Sequence, residues 1–482
     1  SAASDVYKRQ LEDNGSAEGL HRLLTDLYPD TAHFVYELLQ NAEDTKATEV
    51  EFILRTDGVY FAHNGKRDFT YADVDAITNI GANQGKKGDS TSIGEFGVGF
   101  KAVFAYTQTP EIHSGDFHFQ ILEHFLPRRD GVRQEFLKHE KGWTEFYLPF
   151  DNQSKSPSKA FIETKAGLKV LRGNTLLFLR NIKTVRYQIG DSGNAYTIQR
   201  SQLRNHRCTL EESDSATGPV ASSTYLKYEK MYSYKSERGK QKDLPLGIAF
   251  EIQRNNGSME IKRSSQGRAF VFFPLEKESS HLGFHINAPF STTVARDSIR
   301  NVEENSRIID ELSELFASAL EDINKQKLMG ASLYETLPNS SDPISFISTP
   351  LYKRAIKEFQ NHPYLTAKDG AAINAVSAIT GPADITELLD RQMLYRFVKF
   401  SGQWILPVAN NARAEAFLND LELRNFSYQN FAQAFCDPSR RQELVGKLHH
   451  SDRNWTFLFY EVVNSALTSL PCLLYTSDAA DE

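Results

Sequence analysis

Two short stretches carry residue types suited to phosphate chemistry. In YELLQNAED, Glu37, Asn41 and Asp44 recur at i, i+4 and i+7 and so share one face of a helix. An acid, an amide and a second acid in that arrangement can be an ordinary solvated face. They are equally suited to a Mg²⁺-nucleotide. Mg²⁺ takes hard oxygen ligands and keeps several waters, so one amide plus phosphate oxygens suffices. A carboxylate one turn away is then placed to take a proton from an attacking water. In SIGEFGVGFKAVFAY, Gly94, Gly97 and Gly99 crowd just ahead of an apolar run. Glycine lets the backbone approach a ligand closely, and a helix start directs N–H groups and a positive dipole end toward an anion. The G-x-x-G-x-G spacing is neither the dinucleotide fingerprint nor the P-loop. It reads as a phosphate cradle or as a glycine-rich turn packed for steric reasons.

The elements that must hold these stretches follow from periodicity. AEGLHRLLTDLY reads as a short amphipathic helix, and Thr31 as the N-cap of the next, AHFVYELLQNAEDT. ATEVEFILR alternates like a strand, DGV turns, and YFAHNG pairs back as a hairpin. TYADVDAITNI reads as a helix with Thr70 as N-cap, GANQGKKGDSTS as a loop, and GFKAVFAYT as a helix. EIHSGDFHFQILEHF, TEFYLPF and TLLFLRNI read as strands, and DNQSKSPSKAF as a polar loop. Helices alternating with an antiparallel sheet predict a two-layer α+β domain to about residue 185. From 186 to about 305 the signal is mostly strand (TVRYQI, AYTIQRS, LGIAFEIQR, RAFVFFPL, GFHINAPF), with 211–243 as an exposed hydrophilic excursion. Helices dominate 306–471.

Composition excludes several classes. The chain has 482 residues, a formal net charge of −7 and 24% charged residues, which asks for neither nucleic acid nor an anionic membrane. No apolar run approaches the ~18–20 residues needed to span a bilayer. Cys208, Cys436 and Cys472 are far apart and suit structural thiols in a reducing cytoplasm. The ends, SAASDVYKRQ (1–10) and CLLYTSDAADE (472–482), resemble translated sequencing-adapter read-through and are set aside from the fold.

Taken in order and spacing, ELLQNAED, HNG and IGEFGVGF resemble the N, G1 and G2 boxes of the GHKL ATPase superfamily, which includes gyrase, histidine kinases and the ninety-kilodalton heat-shock chaperones. The branch most similar is that of sacsin repeats and No Vein-like proteins. The resemblance covers about residues 20–185 and extends through FVFFPL and FHINAPFSTTVARDSI to about 300. It implies a Bergerat-fold sandwich over 11–185, a β-rich transducer-like domain over 186–305 and a helical region over 306–471. It implies Glu37 as general base, Asn41 as the Mg²⁺ ligand, and Asp44 beside the nucleotide and the lid. Gly94, Gly97, Val98, Gly99 and Phe100 would give the phosphate contacts, and residues 81–92 the ATP lid. Lys101 would add charge to the cradle or face solvent. Thr144 in WTEFYL would lie near adenine, with Trp143 where the family often has glycine.

One departure concerns the base. The G1 box usually reads D-x-G-x-G, whereas here it is His63-Asn64-Gly65-Lys66-Arg67. The base could be held by His63 as acceptor, by Asn64, or through water, or His63 could be a strand-end histidine with no ligand role. In TVARDSI, Arg296 matches the loop whose arginine reaches the γ-phosphate, where a cation stabilises transition-state charge. It could instead pair with Asp297 or Glu303, and Arg300 competes for the role. The resemblance implies a chaperone-like ATPase with ATP and Mg²⁺ as ligands, acting on a protein client or through a fused effector, with a homodimer as one option. The rival class is a nucleotide-gated scaffold with negligible turnover.

Overall fold

In the computed structural model, residues 34–78, 99–133, 142–190, 193–235, 241–265, 267–293, 298–343, 345–399 and 402–469 are described. The chain divides into two compact units. One comprises 1–253, 267–280 and 284–315; the other comprises 254–266, 281–283 and 316–482.

Helix α1 (Phe34–Asp44) opens the described part of the first unit. Phe34, Val35, Leu38, Leu39 and Ala42 are buried on it, and so are Glu37, Gln40 and Glu43. A helix covered on this many sides lies inside the domain, so its polar groups need partners. Glu43 finds four. Its Oε1 accepts from Arg180 N, Asn181 N and Asn181 Nδ2 at 2.8, 2.8 and 2.9 Å, and its Oε2 accepts from Ile182 N at 2.9 Å.

Strands β1 (Glu49–Arg55) and β2 (Gly58–His63) form the expected hairpin, and α2 (Tyr71–Thr78) follows. Asp73 accepts from Thr70 N and from the Thr70 hydroxyl at the start of α2. After a 3₁₀ segment (Gly99–Ala105) come β3 (Glu111–Ser114), β4 (Phe117–Leu122), β5 (Leu126–Arg128), β6 (Thr144–Pro149), α3 (Pro157–Val170) and β7 (Thr184–Ile189). Further strands are β8 (Ala195–Gln202), β9 (Arg207–Asp214), β10 (Gly218–Lys235), β11 (Gln241–Asn255), β12 (Ser258–Lys262), β13 (Arg268–Val271), β14 (Phe273–Ser279) and β15 (His285–Asn287). One sheet runs β14-β13-β15-β11-β10-β9-β8-β7-β1-β2-β6-β3-β4-β5, passing straight across residue 185. Pairing is antiparallel except for β1 with β7 and β13 with β15. The architecture is mixed α+β.

Register puts Phe52 opposite Phe61, Phe61 opposite Phe146, and Phe146 opposite Ile112. Because side chains alternate faces, these residues line one face. Phe52 and Phe61 are fully buried there, each contributing about 1.5–3 kcal/mol of hydrophobic stabilisation. The helical segments complete the same core: Phe34 meets Tyr106 at 4.8 Å between ring centroids, and Phe100 meets Phe146 at 5.7 Å. In the β3–β4 turn Gly115 has φ +57°, and a Cβ there would lie 2.8 Å from Asp68 Cβ, so only glycine fits.

Four elements differ from the sequence expectation. TLLFLRNI is no strand: Gly173–Leu176 is a 3₁₀ turn, and Leu176, Leu177, Phe178 and Leu179 are all buried in the connection to β7. A short apolar run gives no period to separate strand from buried coil. DNQSKSPSKAF is a loop only to Ser156, which caps α3 with Pro157 at its first turn. GFKAVFAYT closes as 3₁₀ rather than α-helix. The stretch 211–243 is strand rather than a loop excursion: its described residues lie largely in β9, β10 and β11, mostly exposed or half-buried, with Tyr225, Leu226, Lys227 and Tyr228 buried.

The second unit is mainly helical, with helices at Ser348–Asn361, Tyr428–Cys436, Pro438–Leu448 and Arg453–Thr468. Phe397, Trp404, Phe431 and Phe459 build its core. Short strands at Ala378–Thr380, Gln403–Trp404 and Arg424–Asn425 pair in parallel. AEGLHRLLTDLY, Thr31 and both chain ends lie outside the described residues.

Glu43→Ala should destabilise the first unit by about 3 kcal/mol or more, since each buried N–H left without an acceptor costs ~1–3 kcal/mol. Glu43→Gln, which keeps an acceptor oxygen, should lose less. Thermal denaturation followed by circular dichroism checks this; an unchanged melting temperature in Glu43→Ala would contradict the role.

Candidate functional site

Of the α1 stripe, Glu37 is 6% exposed, while Asn41 and Asp44 are half-buried. The acid hidden in the interior is thus the one a turn ahead of the amide. The end of α1 seats the strand that follows. Thr45 O accepts from Lys66 N at 3.0 Å, and a Cβ on Gly65 would fall 3.0 Å from Thr45 Oγ1 and 3.2 Å from His63 Nδ1 and Cε1. Gly65 is therefore the spacer that lets the helix end approach His63.

His63 closes β2. In register it faces Thr144 of β6, which in turn faces Ser114 of β3. These three form one polar row across an otherwise apolar face. Ser114 Oγ and Thr144 Oγ1 share a hydrogen bond of 2.6 Å, and Ser114 Oγ also accepts from Phe69 N at 2.9 Å. His63 is 2% exposed, and its Nδ1 is buried without a hydrogen-bond partner among the described residues. Burial lowers its pKa to about 4, so the ring is neutral at pH 7. A neutral imidazole offers one donor and one acceptor nitrogen. Asn64 points to other work: its Oδ1 accepts from Thr48 N and Glu49 N at 2.8 Å each, and its Nδ2 donates to Thr48 Oγ1 at 3.0 Å. That side chain holds the start of β1.

The 3₁₀ segment brings Phe100 to the same place. Phe100 and His63 both flank Phe146, with ring centroids at 5.7 and 6.1 Å. Lys101 is buried rather than solvent-facing. Its Nζ donates to Ile77 O at 2.9 Å and His124 O at 2.5 Å, and burial pulls its pKa down to about 8. The ammonium thus ties the end of α2 to the turn after β4. Gly94, Gly97, Val98, the 81–92 stretch and Arg296 lie outside the described residues.

The structure therefore brings His63, Gly65, Thr144 and Phe100 together beside the end of α1, which carries Glu37, Asn41 and Asp44. Sequence reasoning missed Ser114 and Glu43. Ser114 had no signal short of strand register. Glu43 had one: a third acid on the helix, off the face that Glu37, Asn41 and Asp44 share. The donor set fits a Mg²⁺-nucleotide, with an orphaned ring nitrogen and a hydroxyl in the polar row and an amide oxygen on α1. Among the described residues no three His, Cys, Asp or Glu converge to hold a metal alone. A Mg²⁺ at Asn41 would draw its other ligands from phosphate and water. No helix among the described residues is long and apolar enough to cross a membrane.

Similarity to known proteins falls on this region. A family model described as Sacsin domain matches residues 18–142. The chain is 26% identical over 346 residues, 66% of its length, to Protein NO VEIN of Arabidopsis thaliana, and covers 12% of that protein. It is 35% identical over 159 residues, 28% of its length, to Sacsin of Homo sapiens, and covers 3% of it. The chain spans only a small part of either relative. These matches support a place in the sacsin/No Vein-like branch.

Because His63 titrates near 4 when folded and near 6.5 when unfolded, the unfolded chain binds the extra proton between those values. Its contribution is present above pH 6.5 and is lost as pH falls toward 4, by about 3 kcal/mol. His285, also buried, is lowered to about 4 and acts in the same window. Melting temperature should fall between pH 7 and 4, and His63→Asn should flatten that fall. An unchanged pH dependence in His63→Asn would refute the buried neutral imidazole.

Proposed function

We propose that the first unit is a GHKL-type, Bergerat-fold module that binds Mg-ATP and hydrolyses it. The observation that carries this is the polar row His63–Thr144–Ser114, with its unpartnered Nδ1, set beside the end of the helix bearing Glu37 and Asn41. The similarity to the Sacsin domain over 18–142 supports it independently.

In this reading His63 and Thr144 hold the base, and Asn41 gives its amide oxygen to Mg²⁺. The glycine stretch Gly94, Gly97, Val98, Gly99 and Phe100 cradles the phosphates beneath an 81–92 lid, with Asp44 alongside. Glu37 accepts the proton of the attacking water. Arg296 neutralises charge as the bond to the γ-phosphate breaks. Lys101 and Asn64, engaged with the protein itself, position segments rather than touch nucleotide. Nucleotide binding closes the lid and hydrolysis resets it. The reading extends to a chaperone-like role in the cytoplasm on a protein client or fused effector.

Mg-ATP should raise the melting temperature, since a ligand at a hundredfold over its Kd adds ~2.7 kcal/mol. No shift with millimolar Mg-ATP, Mg-ADP or Mg-GTP would overturn the nucleotide site; an equal shift with GTP would overturn only the adenine assignment. Glu37→Ala should keep the shift and lose ~10²–10⁴-fold in phosphate release, whereas Asn41→Ala should lose Mg²⁺-dependent binding. Negligible release by the unaltered chain would favour the gated scaffold. Arg296→Ala should lower turnover while leaving ATP affinity and melting temperature nearly unchanged, with Arg300→Ala as the control.

A further inference from the structure

The polar row described above lies on the face of the sheet turned to the helices. The residues that alternate with it lie on the other face, and these include an arrangement that the nucleotide reading does not use. His113 of β3 and His118 of β4 are directly paired across the tight Gly115 turn. Their Nδ1 atoms are 3.1 Å apart. His113 is 6% exposed, while His118 is exposed. On the far side of the His113 ring, Nε2 lies 3.7 Å from Glu111 Oε2. Glu111 is itself 6% exposed and is fixed by accepting from Arg133 N at 3.0 Å.

We propose that His113 and His118 form a two-imidazole site for a divalent transition-metal ion of the zinc type. Three observations carry it. First, an ion about 2.0–2.1 Å from both Nδ1 atoms, the usual zinc–imidazole distance, would subtend roughly 100°; this lies between the octahedral and tetrahedral angles. Second, the Glu111 carboxylate lies on the Nε2 side of the His113 ring, 3.7 Å away, so it is Nδ1 that faces His118. Third, the strand register fixes both Cα positions and pairs the two residues directly.

The proton count closes without a co-reactant. In the metal-free state one Nδ1–H lies between the rings. That proton sits on one of the two rings, and metal binding moves it to the other nitrogen of the same ring, so both rings stay neutral and present Nδ1 lone pairs. Water would complete the coordination sphere, since among the described residues no third side chain converges on the pair.

The site is tested with the full chain, stripped by chelator and titrated with Zn²⁺ in a calorimeter. The unaltered chain should bind zinc, and His118→Gln should weaken that binding at least tenfold. Its melting temperature without metal should stay the same, because His118 is exposed. His118→Cys, which restores a zinc ligand, should recover most of the affinity. Glu37→Ala should bind zinc as the unaltered chain does, which separates this site from the nucleotide reading. Absence of zinc binding, or equal affinity in His118→Gln, would overturn the proposal; the second outcome would place the metal on other histidines or on Cys436.

Discussion

The carboxylate of Glu43 is the point on which the domain's interior depends. Four N–H groups from three consecutive residues, 180–182, converge on its two oxygens. Hydrogen bonds to an ionised acceptor are roughly twice as strong as neutral ones, and here they offset the burial of a charge inside a helix. Just after them, Lys183 N and Thr184 N donate to Thr48 O, while Asn64 holds Thr48 N and Glu49 N. The end of α1, the start of β1, the end of β2 and the entry to β7 are therefore fastened within a few residues of one another. Glu37 and Asn41 inherit their positions from this junction, because a helix anchored at Glu43 fixes the turns before it.

The sheet separates two chemistries by the parity of its side chains. On the inner face, an aromatic ladder of Phe52, Phe61 and Phe146 ends in His63, Thr144 and Ser114. The apolar surroundings keep His63 neutral, so it can recognise a polar group by hydrogen bonding without presenting charge. On the outer face, Tyr147, Glu111 and Arg133 form a packed polar layer, with the Arg133 guanidinium 3.7 Å from the Tyr147 ring centre. A one-residue slip in β3 would exchange Ser114 for His113 and ruin both.

Much of this was legible in the residues. The 3.6-residue period of FVYELLQNAED and the alternation of EVEFILR and GVYFAH gave α1, β1 and β2 nearly to their bounds. The face shared by Glu37 and Asn41 followed from helix geometry alone. What stayed hidden depended on distant partners. LLFL has no period, and its fate was decided by burial beneath the sheet and by Glu43. Lys101 read as a surface or phosphate-facing cation because nothing local announces two backbone carbonyls, at Ile77 and His124, waiting for it. The long strand around residue 225 looked hydrophilic because serines, lysines and tyrosines dominate it, yet Lys227 is buried with its Nζ donating to Leu177 O at 3.0 Å.

The parallel pairing of β1 with β7 sets a timetable for making the protein. β1 ends at Arg55, and its partner begins only at Thr184. At ~5–20 residues per second of synthesis, the nascent hairpin waits on the order of ten seconds for the strand that covers its open edge. During that interval the N–H and C=O groups on the edge of β1 away from β2 have no native neighbour, which is the condition that invites wrong pairing. Glu43 meets its partners in the same late segment, so the helix and the edge are secured together. Joining β1 to β7 thus waits for the arrival of residues 180–189, and a pairing this far apart in sequence slows folding however stable the finished sheet becomes.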